Sequence, residues 1–184
     1  MVEIPTDDKV ATATFTAAFR DQYGDEMTAP SVTWSIADAV NGVSISNGVV
    51  TVTKDAKNSI TDSKKFTITA TSGTLSQTST LTVKRTAPQV NSIELGSVDD
   101  MIVPANGADA TANVTATVKD QYGAEISGAS VAWSIAPKVT GVSIDNNGKI
   151  TVTNAAKEYI TDTNGKQFTV TAESGDVTKT ATVT

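Results

Sequence analysis

The chain has 184 residues, with 14 Lys+Arg against 20 Asp+Glu, so its formal net charge is −6, and it contains neither Cys nor His. Those two absences exclude Ser-His-Asp and Cys-His nucleophilic sites, His- or Cys-ligated zinc, haem attachment and any disulfide framework. An isoelectric point near 4.6 without a basic cluster excludes a phosphate-neutralising surface for nucleic acid, and no apolar run is long enough to cross a bilayer.

The 31 Thr and 21 Val carry stiff β-branched side chains that suit a pleated sheet, and apolar residues alternate with polar ones along the chain. The N-terminal Met1-Val2-Glu3-Ile4-Pro5 has no basic flank or apolar signal core, so the sequence reads as cytosolic or as cut from a larger precursor. The first strand face is Phe15, Ala17 and Phe19, closed by the turn Asp21-Gln22-Tyr23-Gly24. Val32, Trp34 and Ile36 form the next inward set. Strands follow at Val43-Ser44-Ile45 and Val50-Thr51-Val52, separated by Asn47-Gly48. Phe66–Ala70 and Leu81-Thr82-Val83 complete the series around Ser72-Gly73. Arg85-Thr86-Ala87-Pro88-Gln89 reads as a linker, and Val90–Leu95 as a further strand.

From there the pattern repeats. Thr115–Gly123 restates Thr16–Gly24, and Ser130–Ala136 restates Ser31–Ala37, at an offset of 133 − 34 = 99 between the two tryptophans. The offset grows to 100 at Asn146-Asn147-Gly148 and to 102 by Phe168, after an insertion at Asn164-Gly165. Both shifts fall at turn residues, where a sandwich tolerates insertion. Two complete modules of about 100 residues are therefore expected, each with roughly seven short strands. The fold class is all-β: two tandem immunoglobulin-like β-sandwich domains, at 1–85 and 92–184, joined by a linker at 86–91. By the offset, Met1 aligns with Asp100, so the first module is expected to lack a counterpart of Val90–Leu95, to carry an unpaired edge and to be the less stable of the two.

The run Val-x-Trp-Ser, Val-Ser-Ile, Asn-Gly, Val-Thr-Val-Thr, Phe-Thr-Ile-Thr-Ala and Leu-Thr-Val resembles bacterial Ig-like domains of the group-2 type. Lys119-Asp120-Gln121-Tyr122-Gly123, with the stretch up to Trp133, is also similar to group-1 domains of invasin-like adhesins. The resemblance covers nearly the whole chain, twice. It implies a non-catalytic structural module of a secreted Gram-positive surface-layer (S-layer) protein, at the cell surface or cell wall. The partners implied are other domains of a longer chain and further copies in a lattice. Two other readings stay open: an adhesin-type binding module, and accessory domains of a multimodular wall-bound glycoside hydrolase. The shared positions are core and turn residues, so the transfer of function is by analogy.

Few residues carry chemistry. Trp34 and Trp133 stand where a sandwich places its central tryptophan and are expected to be core anchors. Asp21, Tyr23, Gly24 and Asp120, Tyr122, Gly123 form a repeated motif. Sugar stacking on the tyrosines is the functional reading; the favoured one is a turn in which Asp caps its own backbone, Gly supplies positive φ and Tyr covers the sandwich end. Asp145-Asn146-Asn147 opens like a calcium loop without the later acidic ligand and is read as a hairpin turn. Asp99 and Asp100 follow the linker near the expected domain junction. They are the metal candidates, because the S-layer resemblance implies Ca²⁺ that rigidifies interdomain contacts; no other cofactor is expected. The pairs Asp25/Glu26 and Asp120/Glu125 are read as solvated charge rather than as hydrolytic carboxylates.

Overall fold

Alternation of β-branched and small polar residues produces strands almost throughout the computed structural model, which describes residues 1–28, 31–161 and 165–184. The chain divides into two units, Met1–Ala87 and Pro88–Thr184.

The first unit contains β1 (Val2–Glu3), β2 (Ala11–Thr14), β3 (Phe19–Arg20), β4 (Glu26–Met27), β5 (Thr33–Ile36), β6 (Val43–Ser46), β7 (Val49–Val52), β8 (Ser63–Ser72) and β9 (Leu75–Lys84). One sheet has the order β1-β9-β8-β5, another the order β2-β7-β6, and β3 pairs with β4. β1 runs parallel to β9, with Val2 opposite Val83, while the long β8–β9 hairpin is antiparallel from Ser63↔Lys84 to Ser72↔Leu75. Inward positions on both sheets are buried: Phe66 and Ile68 on β8, Leu81 and Val83 on β9, Val50 and Val52 on β7. The residues between them, such as Lys65 and Thr67, face water. A one-residue slip would invert this arrangement, so the hydrophobic pattern sets the register.

The second unit contains β10 (Val90–Leu95), β11 (Ala110–Asn113), β12 (Ala116–Asp120), β13 (Ala132–Ala136), β14 (Val142–Ile144), β15 (Lys149–Val152), β16 (Phe168–Ser174) and β17 (Val177–Val183). Its sheets are ordered β13-β16-β17 and β11-β15-β14, and β10 pairs with β12. Val114, Ile135, Ile150, Val152, Phe168, Val170 and Val183 close into one buried cluster drawn from both larger sheets. Ile93 of β10, Val118 of β12 and Ala172 of β16 form a second.

Two features differ from the sequence reading. The strand expected through Phe15, Ala17 and Phe19 is broken at residues 15–18, because β2 pairs with β7 while β3 turns to pair with β4; β11 and β12 break in the same way. A 3₁₀ turn follows β7 at Lys54–Asn58, and its equivalent follows β15 at Asn154–Glu158. Each places an alanine, Ala56 or Ala156, at 0% exposure. The approach is so close that a Cβ on Gly42 or Gly141, both at positive φ, would strike the backbone of that turn. The strand expected at Val90–Leu95 forms β10 with those bounds, and just before it the Gln89 N–H donates to Gln121 Oε1 at 2.8 Å.

Candidate functional site

The repeated Asp-Gln-Tyr-Gly motif ends β12 and follows β3. In the first unit Asp21 Oδ1 accepts the N–H groups of Tyr23 at 2.9 Å and Asp25 at 3.0 Å, while the Gly24 N–H donates to the Asp21 carbonyl. In the second, Asp120 Oδ1 accepts from Tyr122 at 2.9 Å and Ala124 at 2.8 Å, and Gly123 closes on the Asp120 carbonyl. Gly24 and Gly123 sit at φ 90° and 78°, where an L side chain is strained. The carboxylate is thus occupied with holding its own loop. The two copies differ in exposure: Tyr23 is 81% exposed and Tyr122 6%, and Asp120 is itself 2% exposed.

Asp145 does the same work in the β14–β15 turn, accepting from Asn147 at 2.8 Å and Lys149 at 2.9 Å. Its counterpart between β6 and β7 is the two-residue turn Asn47-Gly48, both at positive φ, a type I′ hairpin matched to the twist of the strands. Gly48 and Gly148 lie against the indole rings of Trp34 and Trp133, so near that a Cβ would press on the ring. Both tryptophans are half-buried. Trp133 packs against both buried clusters of its unit, bridging them.

Asp99 and Asp100 are exposed in the segment between β10 and β11. Among the described residues no group of three or more acidic side chains converges to hold a metal ion. Asp7 and Asp8 instead meet lysines: Lys9 stands 3.4 Å from Asp7, and Lys54 donates to Asp8. That hydrogen bond first, and the lysine's charge second, hold the Asp8 carboxyl below its usual range, while Asp8 raises Lys54 in return. Both groups are exposed, so water screens the pair.

The sequence reading expected an unpaired edge in the first unit without locating it, and the structure has a groove in that unit. A cavity of about 470 Å³ opens between residues 15–20 on one side and residues 75–79 of β9 on the other, with Trp34, Ile68 and Ala70 at its base. Leu75 is 69% exposed at its end, and Met27, on the strand beside Phe19, is 53% exposed. The signal that could have found it is the internal alignment: Phe19, Met27, Ala70 and Leu75 occupy the positions of Val118, Ile126, Ala172 and Val177, which pack with Ile93 in the second unit.

Comparison with known proteins bears on the fold. No family model matches the chain, and no curated protein matches it. Among solved structures, Drosophila N-cadherin EC1-4 aligns over 99% of this chain and 46% of that one, at TM-score 0.59 and 18% identity. Both units are immunoglobulin-like β-sandwiches. Human CDH23 EC21-23 aligns over 83% of this chain and 49% of its own, at TM-score 0.50 and 18% identity. Domains 4 and 5 of the S-layer protein SbsC align over 92% and 80%, at 23% identity and TM-score 0.39. The chain thus spans less than half the length of the two cadherin structures. In these immunoglobulin-like units the repeated residues are the inward strand positions, the turn aspartates and the glycines at close approaches.

Proposed function

We propose that the two sandwiches are non-catalytic structural modules of a secreted bacterial surface-layer protein, serving as spacer or lattice-forming domains at the cell surface. One observation carries this reading. What the two copies hold in common is what builds a sandwich: the same tryptophan over the same glycine, the same self-capping aspartate and the same buried alanine in a 3₁₀ turn. Duplicated binding sites would be expected to keep their exposed side chains alike, whereas Tyr23 and Tyr122 differ from 81% to 6% exposure. The acidic, cysteine-free, threonine-rich composition and the resemblance to bacterial Ig-like domains add to it. Under this reading Asp99 and Asp100 are the carboxylates to test for Ca²⁺.

The test pairs self-association with ligand screening. Sedimentation and electron microscopy of the chain, with and without Ca²⁺, are expected to show ordered self-association as concentration rises, and a glycan array is expected to stay blank. Saturable binding to a defined glycan by a chain that remains monomeric would replace this reading with the adhesin one.

A further inference from the structure

We infer that Asn106 is a site of spontaneous covalent modification, at which the Gly107 backbone nitrogen displaces the side-chain amide and aspartate or isoaspartate is left in its place. The chemistry needs only water. The nitrogen of Gly107 bonds to Cγ of Asn106, the Cγ–Nδ2 bond breaks, ammonia leaves and a five-membered imide remains. Water then opens the imide at one carbonyl or the other, giving an ordinary aspartate or one whose main chain runs through Cγ. Glycine permits the approach because it has no Cβ to obstruct the attacking nitrogen.

Asn-Gly occurs at 41, 47, 106, 147 and 164, and Asn164 lies outside the described residues. The fold restrains three of the other four. After Asn41, the Gly42 carbonyl accepts the Thr53 N–H at 2.8 Å, and the glycine is pressed against Ala56 of the 3₁₀ turn. Asn47 is held at positive φ in the β6–β7 turn, with Gly48 buried and its carbonyl accepting the Phe15 N–H at 2.8 Å. At Asn147 the attacking atom is itself engaged, because the Gly148 N–H donates to the Asp145 carbonyl at 3.1 Å. Closing the imide requires the Asn-Gly peptide to turn until its nitrogen faces Cγ, which these three cannot do without local opening.

Asn106 is placed differently. Residues 105–109 are all exposed and belong to no strand. Among the described residues no backbone hydrogen bond holds Asn106 or Gly107, and nothing lies within 4 Å of where a Cβ on Gly107 would stand. The loop is pinned on both sides: Asn154 Nδ2 donates to the Pro104 carbonyl at 2.7 Å, and Ala110 stands opposite Val152 in β11. An added main-chain atom at 106 is thus taken up between fixed points, and β11 keeps its register. The reaction carries the net charge from −6 to −6 − 1 = −7 and adds an anion to a segment that already holds Asp99, Asp100 and Asp109.

Incubation of the folded chain in mildly alkaline buffer, followed by mass-spectrometric peptide mapping and an isoaspartate methyltransferase assay, tests this. The peptide holding Asn106 is expected to gain about one mass unit and to become a methyl acceptor, at a rate about tenfold or more above those of Asn41, Asn47 and Asn147. In denaturant the four should react at comparable rates, since the restraint is then gone. Gly107→Ile, whose side chain enters open space, should slow Asn106 about tenfold or more by crowding the attacking nitrogen and leave the other three unchanged. Equal rates at the four in the folded chain, faster reaction at Asn47 or Asn147, or an Asn106 that stays intact while the denatured chain reacts would overturn the proposal. So would an unchanged rate in Gly107→Ile.

Discussion

Asp21 and Asp120 make the same two hydrogen bonds to the same two backbone positions, yet they stand in different solvent. A loop N–H left without its acceptor in water finds a water molecule; one that is buried does not. Asp120→Ala is therefore expected to cost about 1–3 kcal/mol, and Asp21→Ala about 1 kcal/mol or less. Chemical denaturation of the two variants checks this, and equal losses would mean that burial of Asp120 is energetically idle. Asp120→Asn, which keeps the accepting oxygen, should recover most of the loss. The turn itself was legible in the sequence, because Asp two residues before Tyr and three before Gly is a local signal. The difference between the copies was not, since it depends on what surrounds each loop.

At the scale of elements, the contrast between β10 and the groove dominates. Strand positions followed from period-two alternation, and Phe66, Ile68, Leu81 and Val83 are buried where that alternation puts them. The breaks between β2 and β3 and between β11 and β12 were not legible, because they arise when one strand changes partners, which its own sequence does not record. The 3₁₀ turns escaped notice for a similar reason: Ala56 and Ala156 are ordinary residues until Gly42 and Gly141 let the backbone come against them. Filling of the groove position sets the energetics of β10. Ile93→Ala removes a side chain at 4% exposure and is expected to destabilise the second unit by about 2–5 kcal/mol. Leu75→Ala, at 69% exposure, should change the first unit by about 0.5 kcal/mol or less. Urea titrations of both variants separate these outcomes; a large loss at Leu75 would mean the groove is already filled in solution.

For the whole molecule, the unequal completion of the two sandwiches predicts unequal stability. The second unit holds Ile93, Val118 and Ala172 in a cluster that the first leaves open as a groove. The first unit is expected to open at lower denaturant, so amides of Phe66–Ser72 should exchange faster than those of Phe168–Ser174 in native-state hydrogen exchange. The reverse order would show that the cluster around β10 contributes little to its unit. Composition, alternation and the internal repeat were enough, by themselves, to establish two all-β sandwiches, their turns and their shared inward residues, because these depend on neighbours within a strand or a hairpin. Only the tertiary structure decided which half of each repeated pair is covered, and that the space beside Phe19 is a groove. Burial is a property of surfaces brought together from distant parts of the chain, and identical local sequences can meet different surfaces.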